Sequence, residues 1–316
     1  MEITPDHWFV VVNPQSGGGK AKRKWPMIST ALGKAGILFA SVFTQKQEDA
    51  ITLVKRAIEK GYRRVIAVGG DGTVSEVING ILSQKTVPGD QVVFAVIPIG
   101  SGNDWARMYG ISRNPHKSIL LLQNPVIVVQ DAGRITWVNS PEQKVRYFNN
   151  IAGFLFEAFL TEKTLSVNKT GVAGQFVYLL SLLKYMFRFR SSEITVNGDD
   201  FSEKGVRLLV TAGICRYNGG GMSLVPLSLP GDGFLDITVA DEIPPWEILR
   251  NILKIYNGKI YTHPKIRHYR TRSLFFEDSG GLPVEADGEV LAPGPVKIEL
   301  LPQALRIVVP PDFRLF

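Results

Sequence analysis

The stretch Val65–Glu76, VIAVGGDGTVSE, decides the fold class of this chain. The apolar run Val65–Val68 predicts a short buried strand, and the glycines that follow it end that strand. After Thr73, apolar residues recur at helical spacing: Val74, Val77, Ile78, Ile81 and Leu82. We therefore predict a strand, a glycine turn and a helix. The free amides at the start of such a helix suit an anion such as phosphate.

Thr73 is predicted to cap this helix, since Glu76 three residues later completes a capping-box pattern. The alternative for the whole stretch is an ordinary strand–helix turn with a structural aspartate. Three glycines around a carboxylate at the end of a buried strand favour the binding site.

Composition limits the number of domains, the kinds of partner and the compartment that this chain can have. With 316 residues the chain can form two domains, and its formal net charge of +7 suits anionic nucleotides, nucleic acid, an anionic membrane or merely a solvated basic face. A single cysteine, Cys215 in an apolar stretch, excludes an internal disulfide and is expected in the core. The sequence shows no Cys/His metal spacing, signal-peptide pattern or apolar stretch long enough to span a bilayer. We therefore expect a cytoplasmic protein.

The first part of the chain alternates strands with helices. The predicted strands are Trp8–Val12, Ile37–Phe43, Val65–Val68, Val92–Ile97 and Val126–Val129, the last one ending at Asp131. This alternation predicts a doubly wound, mainly parallel sheet with helices on both faces, over residues 1–132. Ligands of such sheets bind at the carboxyl ends of the strands. Asn13, Thr44, Gly69–Thr73 and Ser101–Asp104 all fall at that edge.

Residues 133–316 instead predict an antiparallel β-sandwich domain. The predicted strands are Arg134–Asn139, Val145–Ile151, Glu193–Val196, Val206–Gly213, Phe234–Ala240, Ser273–Glu277 and Val296–Leu300. A last strand, at about 305–310, can return to the first domain, although the sequence does not show it.

One predicted helix, Gly174–Arg190, is apolar nearly all round, which is typical of a buried helix. The alternatives are a wall of an apolar substrate cleft, or a membrane-docking face with Lys184, Arg188 and Arg190 at the headgroups. A second amphipathic stretch, Trp246–Tyr256, can join it.

The common nucleotide motifs are absent, because Gly17–Lys20 lacks the Walker spacing and no GxGxxG opens the first helix. A nucleotide can still be held by backbone amides of Gly69–Thr73 and Gly100–Asn103. Asp71 and Asp104 would then hold Mg²⁺, although either can be a simple helix cap. Val284–Glu289, VEADGE, predicts a hairpin turn at Asp-Gly, or a catalytic carboxylate that accepts a proton from an attacking hydroxyl.

Five motifs together resemble the diacylglycerol kinase catalytic-domain superfamily, above all its compact bacterial lipid kinases, with sphingosine and ceramide kinases more distant. They are Asn13-Pro14-x-Ser16-Gly17, Gly69-Gly70-Asp71-Gly72-Thr73, Gly100-Ser101-Gly102-Asn103-Asp104, Gly219-Gly220-Gly221 with Pro226 and Asp232-Gly233-x-x-Asp236, and Glu285-x-Asp287-Gly288-Glu289. The resemblance covers nearly the whole chain. Gly-Gly-Asp-Gly-Thr alone also occurs in NAD kinases, which share the fold.

The resemblance implies an ATP site and two metal positions. Its ATP-site residues are Asn13, Pro14, Gln15, Ser16, Gly17, Thr44, Gly69, Gly70, Asp71, Gly72, Thr73, Val74, Ser75, Ser101, Asn103 and Asp104. Asp104 and Asp131 would join Asp71 in a water-linked magnesium network. Asp232, with the carbonyls of Leu229 and Phe234, matches a second, structural metal position, and Asp287 matches the proposed general base. Two departures from the family pattern, Ser228 and Trp105, remove no reactive group and bear on packing or acceptor fit. A third, the insert Pro230–Gly231, lies directly before Asp232 and bears on the second metal position.

We therefore expect an ATP- and Mg²⁺-dependent lipid kinase of phospholipid biosynthesis that presents a lipid hydroxyl, such as that of diacylglycerol, in a cleft between the domains. It would act on lipid at the inner membrane face as a peripheral protein that can form a homodimer, without nucleic acid. Two alternatives stay open. One is a kinase for a soluble hydroxyl acceptor such as NAD, and the other is a non-catalytic lipid- or nucleotide-binding regulator. The sequence does not name the lipid.

Overall fold

The computed structural model describes residues 6–138, 144–168, 181–277 and 281–314, together with Thr4 and Ser140. The chain divides into two compact units. The first comprises residues 1–130 and 303–316, and the second comprises residues 131–302.

The first unit is built on a parallel sheet. Its strands are β1 (Trp8–Val12), β2 (Phe39–Phe43), β3 (Arg64–Gly69), β4 (Val93–Pro98) and the end of the last strand, β15 (Val296–Val309). They lie in the order β2-β1-β3-β4-β15, and Arg306 and Ile307 of β15 pair with Val93 and Phe94 of β4. The strand order reverses between β1 and β3, which is where sheets of this kind bind their ligands.

Helices cover this sheet. They are α1 (Ser16–Lys34), α2 (Asp49–Glu59), α3 (Asp71–Ser83), α4 (Asp104–Met108) and α5 (Pro115–Leu120), with a 3₁₀ turn at Gly89–Gln91. Alternate β1 residues Trp8, Val10 and Val12 pack with Ile28 of α1 and Ile119 of α5 in one buried cluster. Because side chains alternate between the two faces of a strand, these three residues lie on one face of β1, and α1 and α5 cover that face.

The predicted capping box at Thr73 is wrong. Helix α3 begins two residues earlier, after Gly70 in an extended conformation, so Thr73 lies inside its first turn. The Glu76 carboxylate instead accepts hydrogen bonds from the amides of Glu48 (3.0 Å) and Ala50 (3.3 Å) at the start of α2. It therefore satisfies free donors of a different helix.

The second unit is an antiparallel, sandwich-like domain. Its strands are β5 (Val126–Trp137), which begins in the first unit, β6 (Val145–Phe148), β7 (Ile151–Leu155), β8 (Ser192–Gly198), β9 (Ser202–Gly213), β10 (Leu235–Asp241), β11 (Ile266–Thr271), β12 (Ser273–Phe276), β13 (Val284–Ala286), β14 (Glu289–Leu291) and the start of β15. Strand β9 is central, since it pairs with β7, β8 and β10. The helices are α6 (Phe156–Asn168) and α7 (Pro245–Tyr256), with a 3₁₀ turn at Ile260–Thr262.

Two strand predictions need correction. Val126–Val129 and Arg134–Asn139 are not separate, because β5 runs through Asp131 as one twelve-residue strand. Conversely, Val145–Ile151 is two strands, because the chain breaks its ladder at Asn149 and Asn150.

The predicted helix Gly174–Arg190 falls partly outside the described residues, which resume at 181. Residues 181–185 are helical. Burial is confirmed for Leu182 and Met186, which join Phe156 and Leu160 of α6 in an apolar cluster, whereas Phe187 is 63% exposed. Within the described ranges, every helix is too short or too polar to cross a bilayer.

Candidate active site

Two turns at the carboxyl edge of the parallel sheet meet at Thr73. The Asn13 amide, after β1, donates from Nδ2 to Thr73 Oγ1 at 3.1 Å, and Ser16 Oγ lies 3.3 Å from the same oxygen. Asn13 Oδ1 in turn accepts from the Gln15 amide at 3.0 Å. The first and second predicted motifs lie 57 to 60 residues apart in sequence, and these hydrogen bonds hold them together in the fold.

Close backbone packing joins the second and third motifs. A Cβ atom on Gly100 would lie 2.6 Å from both the Gly70 Cα and Asn103 Oδ1, so only glycine fits. Asn103 Nδ2 fixes this turn by donating to the Gly100 carbonyl at 2.8 Å. A Cβ on Gly72, by contrast, would meet no protein atom within 4 Å. The exposed side of the α3 start therefore has room for a ligand.

Two carboxylates converge beside these turns. A Cβ on Gly102 would lie 2.9 Å from Asp71 Oδ2 and 3.5 Å from Asp104 Oδ2. Burial, and then the charge of Asp104, raise the pKa of Asp71 to about 6, although the Trp105 amide donates to Asp71 Oδ1 at 3.2 Å. Oxygen ligands of this charge suit Mg²⁺, so the pair fits the predicted metal. In the part of the chain that the structure describes, no three His, Cys, Asp or Glu side chains form a metal cluster.

Several residues of the predicted ATP site have buried side chains or lie in the turns around Asn13 and Gly100. The side chains of Val74 and Ser75 are buried in α3, and Thr44 is buried after β2. Pro14 and Gly17 belong to the turn around Asn13. The Ser101 carbonyl accepts from Arg113 at 3.3 Å.

Asp131 lies in the second unit, next to the predicted structural metal position. Its Oδ2 accepts from the Gly233 amide at 2.8 Å. Asp232 Oδ1 accepts from the Phe234 amide, and its Oδ2 pairs with the Arg270 guanidinium, which also lies over the Phe234 ring. The Asp232 carboxylate thus already faces a cation of the chain's own, and the Asp232 amide donates a long bond to the Leu229 carbonyl (3.4 Å). The second metal position stays a prediction.

Asp287 lies at the tip of the β13–β14 hairpin, where the sequence predicts it. Asp287 and Gly288 have φ angles of 50° and 83°, as a two-residue hairpin turn of type I′ requires. Asp287 Oδ2 accepts from the Asn149 amide (2.9 Å), and Oδ1 accepts from the amides of Asn150 (3.0 Å) and Ile151 (3.1 Å). The backbone amides at the break between β6 and β7 therefore orient this carboxylate.

The environment of Asp287 tunes its acidity. Burial raises the pKa of its carboxyl to about 6, while the three backbone donors and the Arg146 guanidinium pull the pKa downward. Arg146, on β6, is itself paired with Glu289 of the same hairpin, on β14. At neutral pH the carboxyl is ionised, with a pKa close enough to 7 for proton transfer.

A second carboxyl links this hairpin to α6. Glu285 Oε1 accepts from the Gly288 amide, and burial followed by the nearby Glu157 raises the pKa of Glu285 well above its ordinary value. Burial also raises the pKa of Glu157, whose Oε2 accepts from Thr211 Oγ1 at 2.5 Å and whose Oε1 accepts from Asn218 Nδ2. Asn218, which directly precedes the Gly219–Gly221 motif, thus helps to position Glu157.

Sequence reasoning missed Glu157, Arg146 and the amides of 149–151. Glu157 had one usable signal, since it is a lone acid inside the apolar run Phe156–Leu160. Buried acids are rare and need partners, so such a residue marks a site. The backbone amides of 149–151 could not be recognised from residue types, because every residue except proline has such an amide.

Glu157 also lines an apolar cavity of about 90 Å³ inside the second unit. Its wall is almost wholly hydrocarbon, from α6, β9, β10 and α7 and the helical segment at 181–185. Representative lining residues are Phe156, Leu182, Leu208, Met222, Ala240 and Ile243. An apolar pocket with a few polar groups in its lining is typical of a site for a small apolar ligand.

Comparison with known proteins finds matches along nearly the whole chain. Residues 7–135 match the diacylglycerol kinase catalytic domain, and residues 160–309 match the YegS C-terminal NAD kinase beta sandwich-like domain. The chain is 27% identical over 305 residues to the diacylglycerol kinase of Staphylococcus saprophyticus subsp. saprophyticus, covering 96% of both proteins. It is 27% identical over 302 residues to that of Mycobacterium tuberculosis, covering 95% of this chain and 94% of that one.

Solved structures show the same fold. A diacylglycerol kinase from Bacillus anthracis str. Sterne superimposes with a TM-score of 0.72 at 21% identity, over 99% of this chain and 100% of that one. Yeast NADH kinase complexed with NADH gives 0.52 at 9% identity, over 97% and 84% of the two chains. The predicted fold class is confirmed.

Proposed function

Because the chain belongs to the diacylglycerol kinase catalytic-domain family, we propose that it transfers the γ-phosphate of ATP to the hydroxyl group of a lipid such as diacylglycerol. The observation that supports a lipid as the acceptor is the apolar cavity. Its wall includes Glu157, a neighbour of the Asp287 hairpin. A soluble acceptor would have no use for such a cavity.

On the donor side, the amides at the start of α3 bind the phosphates. The open space at Gly72 lets phosphate oxygens approach the backbone, and the positive end of the α3 dipole favours their charge. Asp71 and Asp104 would hold Mg²⁺, which when bound neutralises charge on the phosphate oxygens. Most of the catalytic effect in phosphoryl transfer comes from such positioning and electrostatics.

On the acceptor side, Asp287 acts as general base. Its carboxylate accepts the proton of the lipid hydroxyl as the oxygen bonds to the γ-phosphorus and the bond from phosphorus to the ADP oxygen breaks. Three backbone donors hold the carboxylate in one orientation, which removes the entropic cost of aligning it.

The pH dependence of kcat should follow the ionisation of the Asp287 carboxyl. With a pKa of about 6, the Asp287 carboxyl is protonated and inactive at lower pH, so kcat at saturating ATP and lipid should rise through about pH 6 and level off above it. Charged groups around it are Arg146, Glu285, Glu289 and Glu157. Replacing Arg146 with methionine removes a cation that lowers this pKa, so the rise should move to higher pH. An unchanged profile would contradict the assignment.

Filling the cavity should impair use of long-chain lipid selectively. Ala240→Leu adds three carbon atoms to the cavity wall, so transfer to long-chain diacylglycerol should fall about tenfold or more, whereas ATP affinity and transfer to a dihexanoyl analogue should persist. Val239→Leu is the matched control, because this buried neighbour on β10 does not line the cavity. Equal losses in the two variants, or on both substrates, would argue against an acyl-chain site.

The function itself is tested by incubating the protein with γ-labelled ATP, Mg²⁺ and a total lipid extract. Label in an organic-phase product supports a lipid kinase and identifies the acceptor. ATP binding without any labelled lipid would instead favour a binding regulator.

A further inference from the structure

Helix α7 presents an apolar stripe to solvent. Trp246, Leu249 and Leu253 are 56%, 39% and 74% exposed and follow one another at spacings of three and four residues. Residues with this spacing lie on the same face of a helix. We call these three residues the 246–253 stripe. Single exposed apolar residues are ordinary, but a row of large ones on one helix face indicates an interaction surface.

The opposite face of α7 packs inward. Ile248, Ile252 and Ile255 rest against the apolar cluster that contains Phe156 and Leu182. Helix α7 nevertheless has no fully buried residue. It therefore lies on the surface of the second unit with its apolar residues on two sides, which is unusual for a helix that only closes a core.

Positive charge accompanies the stripe. The Arg250 guanidinium lies 5.2 Å from the centre of the Trp246 ring, Lys254 follows one turn later, and Lys259 lies just past the end of the helix. Glu247, the one acid of α7, is bonded to the buried His263 at 3.1 Å. Apolar residues beside basic ones match the boundary between acyl chains and anionic headgroups.

The same helix forms a wall of the cavity. Ile248, Asn251, Lys254 and Ile255 of α7 line it. A bilayer on the stripe would therefore lie next to the proposed acyl-chain site, and a lipid could enter without crossing bulk water.

We propose that the 246–253 stripe is a docking surface for a bilayer that contains anionic lipid. Docking itself is independent of catalysis, while its use for lipid delivery rests on the proposed function. Trp246 and the two leucines enter the interface between headgroups and acyl chains, and Arg250 and Lys254 contact anionic headgroups.

Vesicle sedimentation with phosphatidylcholine vesicles containing phosphatidylglycerol tests the proposal. Wild-type protein should sediment with these vesicles, less so at high salt and less so with phosphatidylcholine alone. Leu253→Glu should weaken vesicle binding at least tenfold, and Arg250→Ser or Lys254→Ser about fivefold each with a smaller salt effect. Leu120→Glu is the matched control, because Leu120 is also an exposed helical leucine (61%) but lies on α5 of the first unit.

Unchanged vesicle binding by Leu253→Glu, or an equal loss with Leu120→Glu, would overturn the proposal. So would a change from dimer to monomer in Leu253→Glu without any change in vesicle binding, because the stripe would then join two copies of the chain. Transfer to dihexanoylglycerol separates this question from the proposed function. If transfer persists without vesicle binding, only docking fails, and vesicle binding without any transfer leaves docking intact while the kinase proposal fails.

Discussion

Replacing Asp287 with asparagine is expected to lower the rate of phosphoryl transfer at least about a hundredfold, with ATP affinity unchanged. The amide cannot accept the proton of the attacking hydroxyl. ATP binding does not involve the hairpin in this account. The measurement is kcat for lipid phosphorylation, together with ATP affinity by calorimetry.

The variant should still fold, because two effects of the substitution oppose each other. Asparagine leaves the Asn149 amide facing an NH₂ group, which costs about 1–3 kcal/mol, but it also removes a buried negative charge. Asp199→Asn is the matched control. That carboxylate also accepts three hydrogen bonds, from the Arg272 amide and from the amide and hydroxyl of Ser273, but it lies on a different turn. Wild-type turnover in Asp287→Asn, or an equal loss in Asp199→Asn, would contradict the general-base role.

Gly72→Ala should weaken ATP binding at least about tenfold while leaving the fold as stable as before or more stable. A methyl group at Gly72 meets no protein atom within 4 Å, so it fits, and alanine favours a helix over glycine by up to about 1 kcal/mol. The same methyl group would occupy the space through which a phosphate approaches the amides of α3. Calorimetry with ATP and thermal unfolding measure the two effects separately.

Gly33→Ala provides the matched comparison, since Gly33 is also a helical glycine with open space around its Cβ position, in α1. It should gain a similar helical stability and bind ATP normally. If Gly72→Ala binds ATP as wild type does, the phosphates do not lie at the start of α3.

The features that could be predicted from sequence are those set by short-range rules. Val65–Val68 is apolar and rich in β-branched residues, and Gly69-Gly70 follows it, so a buried strand and then a turn are predicted and observed. Asp287-Gly288 is a favoured pair for a two-residue hairpin, and both residues have the positive φ that this turn needs. In each case the residues concerned are adjacent in the chain.

The features that could not be predicted depend on distant partners. Glu76 has the spacing of a capping box, yet its carboxylate binds amides more than twenty residues earlier, because α2 and α3 lie side by side. Asp131 looks like the end of a strand, but the strand continues, and its carboxylate binds Gly233, 102 residues later. Local spacing cannot choose between partners that only the folded chain brings together.

The most direct test of the central claim is one transfer assay with two acceptors. Purified protein, Mg²⁺ and γ-labelled ATP are incubated with diacylglycerol in mixed micelles, and in parallel with NAD. Label is expected only in the organic-phase product of the lipid reaction, and none with Asp287→Asn. Labelled NAD phosphate, or no labelled product from either acceptor, would contradict it.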